Sequence, residues 1–580
     1  MQYGAINHDQ RGLAYRHAPN PAHLLAPIAT HHAEARNSRA YPASTGASRA
    51  GSVAHAIRGG NRLKFFLVIR AGTGASTCQK GYILVRSITK RGTFWLLAIP
   101  KAEVTTHMAQ RSQRGPLIQE LTRANPWWTQ SAWENADPQL VAAGRAPFQR
   151  FPSVLDTITP PNLYTLRGPR RVGKSTILKQ TVARLCRERV DPRRICYFAA
   201  DALSTFTDLI NLFQAAHQLF PDLADKPRYF LIDEVTAIPE WQRGIKWLRD
   251  NTSTAHDCIV ATGSSARDIA AGAVHLAGRR GPDIGLDRML LPLSFAEFIQ
   301  CAGYQLPVSP RISFETFYTE AGRTACQEAL IYIGTLVDAF ETYLLVGGFP
   351  QAVADFRRTA QVSDGFVRDL WDVALSDLRS MGVSRPEQGL RLLERIAASL
   401  TGPIVLRTLA DDLDVTHKTI GTWLGALADA YLVLLLFQES AGVPDVRAQR
   451  KVYPIDPLLA RLPARRSPSA YEPDASRVAE AVLANAIFRA VEGDAVDRFS
   501  QPEKLFFYRT PSRSEVDYIV FPELRAAESK YVDAVSSRES QAMVTNFGGG
   551  LLLTRGAIDI RPDVTVIPAA LFAWLLDQKG

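Results

Sequence analysis

Between residues 163 and 262, short apolar runs alternate with longer segments whose apolar positions recur every three to four residues. Leu163-Tyr164-Thr165-Leu166 reads as a strand. Residues 175–189 read as a helix with Ile177, Leu178, Val182 and Leu185 on one face, closed by Asp191-Pro192. Residues 195–199 form the next strand and about 203–220 the next helix. Arg228-Tyr229-Phe230-Leu231-Ile232 is a third strand, 241–250 a helix and 259–262 a fourth strand. Such alternation builds a parallel sheet with helices on both faces.

The first strand runs into Gly168-Pro169-Arg170-Arg171-Val172-Gly173-Lys174-Ser175, which fits the phosphate-cradling P-loop pattern. Its glycines let backbone N–H groups turn inward at a helix N-terminus, which favours anions. Lys174 would reach the β- and γ-phosphates of ATP, and Ser175, followed by Thr176, would ligate Mg²⁺. The third strand ends in Asp233-Glu234. Asp233 would hold the Mg²⁺ shell and Glu234 polarise an attacking water. Thr262-Gly263-Ser264-Ser265 ends the fourth strand at the same sheet edge, where Ser264 can sense the γ-phosphate. Arg279 and Arg280 follow. An arginine there either stabilises charge at the γ-phosphate or is a solvated basic pair in a glycine-rich loop.

Residues 296–385 carry a helical pattern without a catalytic constellation, and Gly347-Gly348-Phe349-Pro350 reads as a tight turn. Residues 389–437 read as a winged helix: a helix to Leu400, another over 405–413, a turn at Asp414-Val415, a helix over 416–429 and a strand over 431–437. That motif suggests DNA. Its second helix offers only His417 and Lys418 as basic groups, and phosphate contacts dominate DNA affinity, so a protein-binding or positioning role is favoured. Farther on, Asp517 lies on a strand over 515–520 and Glu528-x-Lys530 on another over 526–530. Alternation puts Glu528 and Lys530 on one face. Glu480, in helical register with Leu483, Ala484 and Ile487, points inward. Two carboxylates with a lysine match a metal-nuclease pattern, with Mg²⁺ held by the acids and the lysine steadying a hydroxide. The alternative reading of Glu480 is a helix N-terminal acid favoured by the dipole.

Composition limits the picture. The 580 residues suffice for three or four domains, and 46% hydrophobic content is that of a globular protein. No uninterrupted apolar run reaches the 18 or more residues of a membrane span. Six scattered cysteines without C-x-x-C spacing suggest reduced thiols of a cytoplasmic protein and no zinc site. The net charge of +10 is misleading for nucleic-acid binding. Residues 1–115 hold 16 Lys and Arg against three acids, so the whole excess sits there. That segment also holds seven of the 11 histidines and has weak periodicity outside residues 63–69 and 81–85. It suits a disordered basic tail, a transit peptide, or translation from a start codon placed too far upstream.

The segments 168–175, Asp233-Glu234, 262–265, Gly278-Arg279-Arg280 and Leu291-Pro292-Leu293-Ser294-Phe295 occur here in an order that resembles a large prokaryotic family. Its members are AAA+-type P-loop ATPases followed by a C-terminal domain of unknown function. Gly347-Gly348-Phe349-Pro350, Asp456 after an apolar strand, and Glu515-Val516-Asp517 extend the resemblance, which runs from about Leu117 to the C-terminus. The resemblance implies an α/β fold: an AAA+-type sheet over 116–295, a helical region over 296–385, a winged helix over 386–440 and a restriction-endonuclease-like domain over 441–580. It implies ATP and Mg²⁺ as ligands, and an arginine that in such assemblies often comes from a neighbouring subunit. The expected function is an ATPase whose nucleotide-dependent conformational change controls its C-terminal domain. An ATP-regulated, metal-dependent nuclease and a non-hydrolysing signalling scaffold are the alternatives. A protein partner or a second copy of the chain is expected, nucleic acid is weakly supported, and a membrane is not.

Overall fold

The computed structural model describes residues 54–59, 62–67, 82–88, 94–100, 115–263, 266–380, 385–440, 443–492, 499–510 and 514–578. The chain divides into two compact units, residues 1–116 and 117–580. In the first, strands β1 (Ala54–Gly59), β2 (Arg62–Leu67), β3 (Tyr82–Ile88) and β4 (Phe94–Pro100) pair antiparallel in sequence order. Strands β2 and β3 coincide with the two apolar stretches of a segment that otherwise reads as an unstructured tail.

In the second unit, β5 (Leu163–Arg167), β6 (Ile195–Ala199), β7 (Tyr229–Asp233), β8 (Cys258–Thr262) and β9 (Asp287–Met289) form an all-parallel sheet in the order β6-β7-β8-β5-β9. Every residue of the inner strands β5 and β8 is buried, as expected of parallel strands covered on both faces. The crossover helices are Lys174–Arg187, Phe206–Leu219, Trp241–Asn251 and Ala266–His275. The second opens with a capping box in which Thr205 and Asp208 bond each other's backbone N–H. The edge strand β6 is closed off by side chains. Asn125 accepts from the Tyr197 N–H at 2.6 Å and donates to its carbonyl at 2.9 Å, and the Trp127 and Trp128 indoles donate to the Ile195 carbonyl.

Helices Phe295–Ala302, Glu320–Ala329, Ile333–Val346, Pro350–Thr359 and Asp364–Ser380 follow. By length and composition the 27-residue stretch Glu320–Val346 is apolar enough to cross a membrane. A search for uninterrupted apolar runs misses it, because Asp338 and Glu341 break the run. One face of it packs into the core, where Leu336, Phe340, Tyr343 and Leu344 are buried with the Phe340 ring 5.0 Å from Phe295, while Ile331 and Leu345 on it are exposed.

Next come helices Pro386–Ala398, Leu406–Asp412 and His417–Asp429, then the antiparallel pair β10 (Val433–Ser440) and β11 (Val443–Pro454). Helix Ala475–Glu492 precedes β12 (Leu505–Arg509), β13 (Glu515–Val520), β14 (Arg525–Lys530), β15 (Gly550–Thr554), β16 (Asp559–Ile560) and β17 (Val564–Pro568). These strands form one mixed sheet ordered β11-β10-β12-β13-β14-β15-β17-β16. The sheet therefore crosses residue 440, where the sequence suggested a domain boundary: β10 and β11 are at once the strands after the two-helix element and the edge of the C-terminal sheet.

A short chain of hydrogen bonds joins the parts. The Gly348 N–H donates to Asp456 Oδ2 at 2.7 Å, and the Gly348 carbonyl accepts from the Leu293 N–H at 2.7 Å. The Leu293 carbonyl accepts from the Tyr343 hydroxyl, and the Pro292 carbonyl from Arg489. Gly347 has φ +75°, and a Cβ there would overlap the Asp456 carboxylate; one on Gly348 would overlap the Leu293 carbonyl. Gly348→Ala should therefore cost about 1–3 kcal/mol of stability. Gly334→Ala, where a Cβ meets no atom within 4 Å, should be neutral or stabilising. Denaturant titration of the two full-length variants measures the difference.

Candidate functional site

The residues singled out at residues 168–175 and 233–234 converge at the carboxyl edge of the parallel sheet. Strand β5 leaves the sheet at Gly168, which takes φ +144° and packs its bare Cα against the Leu290 carbonyl oxygen. Gly173 takes φ +100° as the cap of helix Lys174–Arg187, and a Cβ there would meet nothing within 4 Å. Pro169 and Val172 are buried, while Ser175 and Thr176 are half-buried in the first turn. Lys174 is 6% exposed, and its ammonium donates to the carbonyls of Gly168 at 2.9 Å and Pro169 at 3.0 Å. Burial pulls its pKa below the ordinary lysine value, against the nearby charges of Glu234, Asp377 and Asp233.

Asp233, at the end of β7, is fixed from two sides. Its Oδ1 accepts from the Thr262 hydroxyl at 2.8 Å and its Oδ2 from the Tyr197 hydroxyl at 3.2 Å. Thr262 Oγ1 in turn accepts from the Glu234 N–H at 3.3 Å. Glu234 sits at φ +53°, ψ +42°, a left-handed conformation costly for a side chain with a Cβ. This strained turn ends β7 and sets the glutamate beside the aspartate. The donor set suits a nucleotide with Mg²⁺: inward-turning glycine backbone, a buried ammonium, a hydroxyl at the helix start and a pair of acids. Sequence reasoning did not assign Tyr197 and Thr262 their role. Both stand on the strands that flank β7, Thr262 at the carboxyl end of β8 and Tyr197 in the middle of β6, and polar side chains in those apolar strands are the signal that could have found them. Ser264 lies outside the described residues.

Arg170 and Arg171, expected at the phosphates, turn their side chains to acids of helix Asp364–Ser380. Arg170 Nε lies 2.7 Å from Asp377 Oδ1, and the Arg171 guanidinium 3.0 Å from Asp369. Asp377 is buried, and burial raises its pKa to about 6, opposed by Arg170 and Lys174. Arg171 takes φ +69°, so the loop backbone turns sharply between the two contacts.

Arg279 is not brought to the P-loop of its own chain. The carbonyl of its neighbour Arg280 accepts from the Leu163 N–H, at the start of β5, while the P-loop leaves the other end of that strand. The Arg279 side chain pairs with Asp250 at 2.7 Å. Arg280 and Arg167 both bind Asp287, which anchors the short edge strand β9.

The C-terminal candidates do come together. Strands β13 and β14 pair antiparallel with Tyr518 opposite Ala527, which brings Asp517 and Glu528 to the same end of the hairpin. Lys530 Nζ lies 2.7 Å from Glu528 Oε1. Glu480, on helix Ala475–Glu492, is 7% exposed and faces the sheet. Sequence reasoning missed the group at the centre. Lys451, from β11, points its ammonium at Glu480, Glu515 and Asp517. A lysine two residues before Tyr453, in a strand otherwise apolar at 452–455, was the available signal. Burial raises the pKa of both Glu480 and Glu528 to about 7. Among the described residues, no group of three or more His, Cys, Asp or Glu is arranged to hold a metal ion.

A five-stranded parallel sheet with a phosphate-binding loop after β5 and an acidic pair after β7 defines a P-loop, ATPase-like nucleotide-binding domain. Comparison with known proteins agrees: the profile of an AAA domain family matches residues 160–299, and that of a domain of unknown function matches residues 337–468. An uncharacterized protein of Haemophilus influenzae is 31% identical over 139 residues, which is 24% of this chain and 33% of that protein. The chain thus spans about a third of the length of the curated relative it matches.

Asp377 gives the site a pH signature. A carboxyl whose pKa rises on folding, here from 3.8 to about 6, favours the folded state at low pH and loses that contribution as the pH rises through its folded value. Denaturant titrations across about pH 4 to 7 should show a falling component in the wild type that is missing in Asp377→Asn.

Proposed function

We propose that this chain is a Mg²⁺-dependent ATPase that uses its nucleotide state to control the conformation of its C-terminal half. The observation that carries the reading is the convergence of buried Lys174 with Asp233 and Glu234 at one sheet edge. ATP would be held by the backbone of residues 168–175 and by Lys174, and Mg²⁺, held by Ser175 and Asp233, would offset phosphate charge. Tyr197 and Thr262 hold Asp233 in place. Glu234, held beside Asp233 by its left-handed turn, orients a water and takes up its proton. Arg279, on a loop away from its own P-loop and paired with Asp250, would have to leave that partner to serve the site of a second copy of the chain.

Two contacts support transmission. Helix Asp364–Ser380 touches the P-loop through Asp369 and Asp377, and Leu293 is tied through Gly348 to Asp456 in the C-terminal half. The helices Leu406–Asp412 and His417–Asp429 with the β10–β11 pair support a winged-helix reading. Exposed His417 and Lys418 give it little basic surface, which favours a protein partner over DNA. The mixed sheet with Glu480, Asp517, Glu528 and Lys530 at its centre supports a restriction-endonuclease-like fold. We place the protein in the cytoplasm, because its cysteines lack paired spacing and the five among the described residues are free.

Lys174→Ala should weaken ATP binding by about ten- to a hundred-fold, the worth of a charged hydrogen-bonding group. Glu234→Gln should bind ATP as the wild type does and turn it over about 10²–10⁴-fold more slowly. Calorimetric binding and phosphate release separate the two effects; undiminished turnover in Glu234→Gln would remove Glu234 from the mechanism.

A further inference from the structure

The carboxylates that suggest a metal site already enclose a cation. Lys451 Nζ lies 2.9 Å from Glu480 Oε1, 2.8 Å from Asp517 Oδ1 and 2.5 Å from Glu515 Oε1, and its side chain is 1% exposed. An ammonium has three N–H donors, and three carboxylate oxygens stand within reach of them. The same carboxylates carry further hydrogen bonds and a second cation. Glu480 Oε1 also accepts from the Tyr453 hydroxyl at 2.6 Å, Asp517 Oδ2 accepts from the Ser529 N–H at 2.9 Å, and Glu528 Oε1 pairs with Lys530. Glu528 Oε2 is buried without a hydrogen-bond partner, but the Lys530 ammonium on the same carboxylate already supplies a cation there. Burial works against the charge on Lys451, but Asp517, Glu480 and Glu515 together outweigh it and hold the ammonium protonated well above the ordinary lysine range.

The lysine is also poorly placed to leave. It sits on β11 opposite Leu436 of β10, with the rings of Tyr453 and Phe507 5.9 and 5.8 Å from Nζ. An ion seated on Glu480 and Asp517 would stand a few ångströms from this ammonium, where like charges repel strongly in a buried setting. The metal implied by the nuclease-like pattern therefore does not fit the side chains present.

We propose that Lys451 is the resident cation of this cluster, and that the C-terminal sheet is a metal-free, non-cleaving module in which the ammonium ties the β10–β11 pair to helix Ala475–Glu492 and β13. The tie gives the cluster a purpose: it fixes the strands that follow the two-helix element onto the sheet. The inference does not depend on ATP hydrolysis.

The test is a Mn²⁺ titration of the full chain without nucleotide, read by calorimetry and electron paramagnetic resonance. The Asp233→Asn background removes the carboxylate expected to hold metal at the P-loop. No bound ion is expected there; one Mn²⁺ per chain, lost again when Asp517→Asn is added, would overturn the proposal. Lys451→Ala should melt at a lower temperature and take up Mn²⁺ at least about tenfold more tightly as the vacated carboxylates accept it. Unchanged stability in Lys451→Ala, or metal-dependent cleavage of DNA or RNA by the wild type that Asp517→Asn abolishes, contradicts it equally.

Discussion

Asp456 is a buried carboxylate that accepts two backbone N–H groups, from Gly348 and Leu458. Burial lifts its pKa to about 6, against the pull of those two bonds. The arrangement fixes three distant stretches at once: the exit of the nucleotide domain at Leu293, the turn between two helices at Gly347-Gly348, and the start of helix Pro457–Arg466. Two glycines are needed because both Cβ positions are already filled by oxygens of the partners. A single apolar cluster runs through this junction, from Trp127 beside the parallel sheet to Leu576 at the end of the chain. Packed interiors pass on displacement rather than absorb it, so the junction joins Leu293 stiffly to the helix that starts at Pro457.

The P-loop, for its part, is gripped by charge. Its two arginines face acids of a helix nearly two hundred residues away in sequence, and the buried Asp377 shares the local field of Lys174 and Glu234. Phosphate charge arriving at the loop would compete with these acids for the same cations. On the proposed reading, the helix would sense the nucleotide through these arginines.

The parallel sheet was legible in the sequence because its strands are continuous apolar runs and its helices keep one apolar face. The exception, β9, is three residues long and is held by Asp287 and two arginines, so hydropathy gives it no signal. Lys174, Asp233 and Glu234 were legible because motif spacing fixes them locally. Arg279 was not, since a loop position says nothing about which end of a strand it borders. The C-terminal acids were found by strand alternation and their hairpin formed, but Lys451 reaches them from a strand on the other side of β12, a long-range pairing that no local pattern encodes. The boundary expected near residue 440 falls between β10 and β11 of one sheet, and β10 joins that sheet beside β12 by a pairing of the same long-range kind.

The claim that nucleotide state reaches the C-terminal half is tested most directly by amide hydrogen exchange on the full-length Glu234→Gln chain, with and without ATP and Mg²⁺. The account predicts that ATP changes protection in residues 168–175, and also in helix Asp364–Ser380 and around residues 347–350 and 454–458. Changes confined to residues 160–299, with the junction around Asp456 exchanging identically in both states, would contradict it.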